Sequence, residues 1–391
     1  MNFKQHIPEP VRKLDSVLSR FSVDSLVRVA GGAVRDLLVG AEPKDWDLAT
    51  PLRPEVVMQQ AEEAGFKVLP TGLQHGTVTV VVDGEPLEVT TLRVDVETDG
   101  RHADVEFTTD WKKDAARRDL TVNAMFLTMD GEVVDFFGGQ QDLEDGRVRF
   151  VGDARERMAE DFLRILRFFR FQGRVGSGKF DDKDLQAIHD SANGLASISG
   201  ERIWMEMSKI LTGQILRQIL GAMEDSRVLG AIGIDNPNLA LAEIANTMDG
   251  DATTVLAGLL GGNAETARKV ADRWKLTKKE RTLLLWLTDQ VHEIQSSPFR
   301  FMELMDWQKL AVTHGKDQAM ALTRLTPYMG IRDELDKWMQ PEFPLSGADI
   351  LSLGVEPGPE VGRRLKLAKQ AWMDSDFKMD KQQLLQLATS S

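Results

Sequence analysis

The chain has 391 residues, too many for one ordinary hydrophobic core, and its 42% hydrophobic and 28% charged residues mark a globular protein, not a disordered one. A net charge of −13 argues against a diffuse polyanion binder, so any nucleic-acid contact must be concentrated in a local patch or groove. The absence of cysteine excludes disulfides, thiolate nucleophiles and cysteine-ligated zinc, and no apolar run reaches the roughly 18 residues of a membrane span.

The opening MNFKQHIPEPVRKLD lacks the basic-then-apolar layout of a signal peptide, and a cytoplasmic protein is expected. Residues 1–25 read as a short amphipathic helix, with Val11, Leu14, Val17, Leu18 and Phe21 at helical spacing. SLVRVAGG is a short strand ending in glycines. AVRDLLVG gives two helical turns closed by Gly40, and DWDLAT gives a second strand. RPEVVMQQAEEAGF is a helix with proline near its start, and GTVTVVVDGEPLEVTTLRV is a hairpin broken at Asp83-Gly84. ETDGRHADVEF, polar and glycine-containing, reads as a mobile loop. DAARRDLTVNAMFL reads as a helix that turns Leu120, Ala124 and Leu127 inward. GEVVDFFGG and GRVRFVG read as short strands. Beyond about residue 152 only helical periodicity remains, without repeats. The predicted fold class is α+β: an N-terminal head of mixed β-sheet with helices, followed by an all-helical remainder.

Chemistry-bearing residues begin at Gly31-Gly32, where a strand meets a helix. Without β-carbons the backbone can approach a triphosphate, and Arg35 adds a cation one turn later. A glycine pair alone reads more readily as a tight turn beside a surface arginine. Asp45 and Asp47 shift that balance. Two residues apart on a strand, they point to one side, and two such carboxylates call for a cation between them. Mg²⁺ accepts one or two carboxylates together with substrate phosphates. Glu88 is either a third carboxylate of that site or the polar face of an amphipathic strand. Arg117-Arg118-Asp119 is either an ordinary charged helix start or an arginine grip on triphosphate.

On a helical wheel of EDFLRILRFFRF, at about 100° per residue, Phe162, Leu163, Ile165, Leu166 and Phe169 form the apolar arc. Glu160, Asp161, Arg164 and Arg167 share the opposite arc, and Arg170 falls outside it. A salt-bridged solvent face with an Asp161–Arg164 pair is one reading. The other is base recognition. A carboxylate accepting from an exocyclic amine and an arginine donating to a ring nitrogen or carbonyl suit cytosine and adenine, and mismatch uracil and guanine. The lone IHD sequence at Ile188 to Asp190 has no companion histidine cluster and reads as an exposed helical histidine.

Together these stretches resemble the class II tRNA nucleotidyltransferases, the CCA-adding enzymes of the polymerase β-like nucleotidyltransferase superfamily. GGAVRD with DWDLAT resembles the first family motif, ARRDLTVNAM the second, AEDFLRILRFFRF the nucleobase-template motif and SGERIWMEMSKIL the helix motif after it. The likeness is strong over about residues 20–215, and FPLSGADILSLGVEPGPEVGRRL resembles the closing segment. It implies a catalytic head over 1–150, a nucleobase-selecting helical neck over 151–225, a helical body over 226–335 and a tRNA-contacting tail over 336–391. It implies Mg²⁺ on Asp45 and Asp47 as the catalytic metal site. It places Gly32, Arg35, Arg118, Asp161, Arg164, Arg167 and Arg170 at the incoming nucleotide. The implied reaction adds C, C and A to the 3′ end of tRNA from CTP and ATP without a nucleic-acid template. No membrane and no obligatory protein partner are implied.

The overall acidity then requires a local basic surface. Residues 268–281 (RKVADRWKLTKKER) and 363–369 (RRLKLAK) are candidates, though charged helix faces are the commoner explanation. A loop near 93–106, linked in the family to the switch from C to A addition, is present. The rival readings are a bacterial-type poly(A) polymerase, an enzyme adding only CC or only A, and a non-catalytic RNA-binding protein. Retention of both Asp45 and Asp47 speaks against the last.

Overall fold

The computed structural model describes residues 2–98, 103–297, 304–326 and 329–389. Nine strands are present among them: β1 (Arg28–Ala30), β2 (Leu48–Thr50), β3 (Lys67–Gly72), β4 (Thr77–Val82), β5 (Glu85–Thr91), β6 (Arg93–Thr98), β7 (Ala103–Phe107), β8 (Met125–Leu127) and β9 (Val133–Asp135). Seven form one sheet in the order β3-β4-β5-β2-β1-β8-β9, in which only β2 and β5 run parallel. The register sets Arg28 opposite Ala49 and Leu48 beside Val89, so the chain entering β2 lies at the centre of the sheet, next to Glu88 on β5.

Side chains alternate across this sheet as the strand period demands. Val29, Leu48, Val78, Val80, Val89, Met125 and Leu127 enter one core, covered by the helices α1 (Glu9–Leu18) and α3 (Pro54–Glu63). Ala30, Ala49 and Phe126 enter a smaller core on the opposite face, with Leu92 and Ala115. The short α2 (Gly32–Leu38) follows β1 directly. The head continues through α4 (Trp111–Ala116) and α5 (Gly139–Glu144).

Among the described residues no strand follows β9. The helices α6 (Ala154–Glu160), α7 (Leu163–Val175), α8 (Asp182–Ser191) and α9 (Gly200–Leu211) open the helical remainder. Leu120 and Val122 of the head share one continuous core with α7, α9 and the helices out to Leu335, including the fully buried Trp274 and Trp307. That shared core fixes α7 against the head. A separate core around Ile350, Trp372 and Leu384 serves the C-terminal helices. The α+β expectation therefore stands. No helix of the described residues is long and apolar enough to cross a membrane.

Several local expectations are corrected. The first helix is confined to Glu9–Leu18; Val11, Leu14 and Leu18 are buried, whereas Phe21 lies beyond it and is 83% exposed. ETDGRHADVEF, read as a mobile loop, is largely a hairpin: β6 and β7 pair antiparallel with a register shift between Asp95 and Glu97. Its 99–102 tip lies outside the described residues.

DAARRDLTVNAMFL is not one helix. It supplies the end of α4, a single tight turn at Thr121–Asn123 and then β8. Met125, Phe126 and Leu127 are buried on both sheet faces, and such a continuous apolar run carries no period that would distinguish strand from helix. GRVRFVG contributes one isolated bridge, Leu120 to Phe150, and no strand.

Candidate active site

A cleft of about 650 Å³ lies between the sheet and α7, lined from the head by Gly31, Gly32, Arg35, Asp47, Glu88 and Arg118, and from the helices by Asp161, Arg164, Arg167 and Phe171. Seven of the nine residues singled out from the sequence thus meet in one cavity. Asp45 and Arg170 are the exceptions.

The two aspartates precede β2 and do not lie within it, because the strand begins at Leu48. Asp47 is nonetheless tied to the sheet, its carbonyl accepting from the Ala30 N–H at 2.8 Å. Asp45 lines an adjoining pocket of about 740 Å³ that it shares with Asp47 and Glu88. Asp47 therefore stands on the boundary of both spaces. Its side chain reaches solvent through the cleft, yet crowding by surrounding protein pushes its carboxyl pKa up. The charges of Glu88 and Asp45 push it further, and Arg118 opposes them. Three acids repelling one another at a cleft wall suit a divalent cation. No group of three His, Cys, Asp or Glu side chains converges closely enough to form a complete metal cage among the described residues. The donor set fits an ion such as Mg²⁺ that takes one or two carboxylates and completes its shell from water and substrate oxygens.

Gly31 has φ +64°, and a Cβ there would meet Arg118 Nη1 at 2.9 Å. Its absent side chain thus lets Arg118 lie across the strand–helix turn. The Gly31 N–H is already donated to the Met125 carbonyl at 3.0 Å, so it is not free for a phosphate. Arg118 is held from behind by Asp114, which is 1% exposed and also accepts from Arg117 at 2.7 Å. Burial would raise the Asp114 pKa, but the flanking Arg118 and Arg117 charges outweigh it and hold the group below the usual carboxylate range. Arg35, 4% exposed, donates to Asp36 at 3.0 and 2.8 Å and to the Asn123 side-chain carbonyl at 2.6 Å. Asn123 donates in turn to Asp119, which accepts from Arg167 Nε at 2.6 Å. A continuous polar chain thus runs from α2 to α7.

The template stretch contains a break that the wheel did not foresee. α6 ends at Glu160, Asp161 is extended at φ −157°, and α7 starts at Leu163. The Asp161 side chain closes a local turn at the break, accepting from the Leu163 N–H at 3.1 Å. The neighbouring Phe162 ring occupies the space where a Cβ on Gly194 would stand, 2.2 Å away. The expected Asp161–Arg164 pair does not form. Asp161 pairs with Arg202 on α9 at 2.6 Å. Arg164 pairs with Glu160 and donates to the Arg157 and Arg117 carbonyls at 3.0 and 3.2 Å. Arg170, placed by resemblance at the nucleotide, lines a separate small pocket and pairs with the buried Glu206 at 2.9 Å. The wheel had already set it apart, because the nine residues from Asp161 advance by about 900°, which leaves Arg170 about half a turn away.

Arg202, Glu206, Asp114 and Asn123 were not singled out from the sequence. Arg202 and Glu206 stand four apart in GERIWMEM, one face of α9, a signal that spacing could have provided. Asn123 carried none. The basic stretches resolve mainly into charged helix faces: Lys269 pairs with Glu265 at 2.6 Å, Arg363 and Arg364 with Glu360 at 2.7 and 2.8 Å.

Residues 27–149 match the family profile described as "Poly A polymerase head domain", and residues 179–233 that described as "Probable RNA and SrmB- binding site of polymerase A". Over nearly the whole chain the relatives carry a different name. A Mus musculus "CCA tRNA nucleotidyltransferase 1, mitochondrial" is 41% identical over 371 residues, covering 92% of this chain and 85% of the relative. A Lactococcus lactis subsp. cremoris (strain SK11) "CCA-adding enzyme" is 30% identical over 96% of this chain and 95% of its own. In fold, the chain is similar to a Bacillus stearothermophilus CCA-adding enzyme solved with CTP (TM-score 0.78, 24% identity, 98% of each chain). It is also similar to a Thermotoga maritima CCA-adding enzyme solved with tRNA (TM-score 0.71, 19% identity, 100% of this chain and 98% of that one). A poly(A)-type head is thus joined to a chain whose full-length relatives are CCA-adding enzymes, and the protein belongs to the class II CCA-adding tRNA nucleotidyltransferases.

Proposed function

We propose that the chain adds C, C and A to the 3′ end of tRNA from CTP and ATP, and that this cleft is where it does so. The observation that carries the assignment is the meeting, in one cavity, of Asp47 from the sheet with Asp161 and Arg164 from the helical side. One wall suits phosphate chemistry and the other suits a base edge.

Asp45 and Asp47 would hold Mg²⁺, which when bound supplies charge neutralisation at the phosphates and a more acidic attacking hydroxyl. The chain's own groups do the positioning. Arg118, fixed by Asp114, offers N–H groups to the triphosphate, and Arg35, with three of its five N–H groups already engaged, supports the same end. Gly32 brings the backbone close. The tRNA 3′-hydroxyl attacks the α-phosphate and pyrophosphate leaves.

At the other end Asp161 accepts from the exocyclic amine of cytosine or adenine while Arg164 donates to the ring. Both side chains are already held by protein partners, so little freedom is lost when a nucleotide enters. Uracil and guanine would face Asp161 with an acceptor and leave buried polar groups unpaired. Arg167 and Arg170 act behind this pair. The neck, body and tail boundaries at 151, 226 and 336 stay part of the proposal, with the tail contacting tRNA. The cytoplasmic location expected from the sequence stays part of the proposal.

The test is one incubation of purified protein with Mg²⁺, CTP, ATP and a tRNA ending at the discriminator base. Three added residues, lost on chelation with EDTA, are the expected product. A long ladder of A or a stop after CC would contradict the assignment.

A further inference from the structure

Phe171 has a different environment from its neighbours on α7. Phe168 stacks on Phe150 with ring centroids 5.2 Å apart, and Phe169 packs against Phe168 and Phe180, as core aromatics do. The Phe171 ring belongs to the same core but is also faced by three guanidinium groups: Arg170 at 4.3 Å, Arg35 at 4.8 Å and Arg167 at 5.7 Å from its centroid. The ring is 4% exposed and touches the cleft.

Each of the three arginines also has its own carboxylate, and each carboxylate comes from a different element. Arg35 pairs with Asp36 on α2, Arg167 with Asp119 in the head segment after α4, and Arg170 with Glu206 on α9. Asp36 further accepts from Arg174, one turn beyond Phe171, at 2.9 and 3.1 Å. The ring therefore lies where the phosphate-side arginine of the head meets α7, the helix that carries Arg164.

We propose that Phe171 is a positioning residue that sets the distance between the phosphate grip and the base-reading wall by seating Arg35, Arg167 and Arg170 on its π face. The inference rests on the proposed function of the cleft. The physical requirement is specific. Three cations gathered within 6 Å of one ring centroid repel, and the π system offers each a favourable contact that an aliphatic side chain of similar size does not. A ring that only filled the core would be replaced by leucine with the usual modest loss of packing and no effect on nucleotide choice.

The experiment compares wild type, Phe171→Leu and Phe171→Tyr by calorimetric CTP binding in the presence of Mg²⁺, by CTP-over-UTP selectivity in tRNA extension, and by KM for tRNA. Loss of the cation–π contacts corresponds to about a tenfold weaker CTP Kd in Phe171→Leu, with a fall in selectivity. Phe171→Tyr recovers both, and the tRNA KM stays within twofold in each. A cycle with Arg35→Lys then shows coupling, the double variant losing less than the product of the single losses. A CTP Kd within twofold of wild type in Phe171→Leu, or strictly multiplicative losses, would overturn the inference. If leucine prevents folding, Phe171→Met carries the same comparison. Wild-type protein that binds CTP but extends no tRNA would count against the function while leaving the binding cycle readable.

Discussion

Around the cleft, buried or half-buried guanidinium groups meet buried polar partners: Arg35 with its neighbour Asp36 and the distant Asn123 carbonyl, and Arg167 and Arg170 with Asp119 and Glu206 from other elements. In the C-terminal helices the buried set is apolar, with Ile350, Trp372 and Leu384 at its centre. Charges there stay at the surface; Arg363 and Arg364 both pair with Glu360 on their own helix and hold its carboxyl at about 2. Burying charge is costly unless every partner is in place, and a purely structural core has no reason to accept that cost. The contrast marks the cleft as the place where orientation matters more than stability.

Substitutions can sharpen or break this contrast. The largest effect is expected at Asp47→Ala, which removes one of the two acids that line both pockets, the other being Glu88. It should lower the rate of CCA addition by about 10³-fold or more while leaving the melting temperature unchanged. Substantial activity measured by tRNA extension would remove the metal assignment, and Asp45→Ala is expected to behave alike.

Trp372→Ala should do the reverse. Truncating a 2% exposed indole should destabilise the protein by about 3–5 kcal/mol in denaturant titration, with nucleotide selectivity intact below the transition. Altered selectivity would mean that the two regions are not separable.

A smaller effect is expected at Asp161→Ala. CTP-over-UTP selectivity should fall by about 10–100-fold, more than triphosphate affinity changes. Unchanged selectivity in competition assays would count against the template reading.

The smallest effect concerns Asp184 on α8. Burial first, then the charge of Asp181, raises its pKa to about 6 against the opposing pull of Arg149. The folded state therefore holds this proton more tightly than the unfolded chain. The contribution is favourable below about pH 4 and is lost as pH rises through about 6. Asp184→Asn should stabilise the protein at pH 7 by about 1 kcal/mol and make little difference at pH 4. A melting temperature that is unchanged at both pH values would contradict this.

How much of this was legible follows from the kind of signal each residue leaves. The sheet was readable where one strand alternates, as in β4 and β5, and unreadable at β8, where Met125, Phe126 and Leu127 fill two cores at once. The aspartate pair was singled out by spacing, although its segment precedes the strand and only Asp47 lines the cleft. Asp161 was singled out and lines the cleft, but a helical wheel assumes an unbroken helix and so paired it with Arg164 in place of Arg202. The link from Arg35 through Asn123 and Asp119 to Arg167 joins residues up to 132 positions apart, and no local pattern announces it.

The central claim is that the acids of the sheet and the selector wall of the helices act on one nucleotide. A crystal structure of the protein with CTP and Mg²⁺ tests it most directly. The account predicts the triphosphate between Arg118 and Asp47, and the cytosine edge within hydrogen-bond distance of Asp161 and Arg164. A cytosine turned away from both, or a triphosphate remote from Asp47, would contradict it.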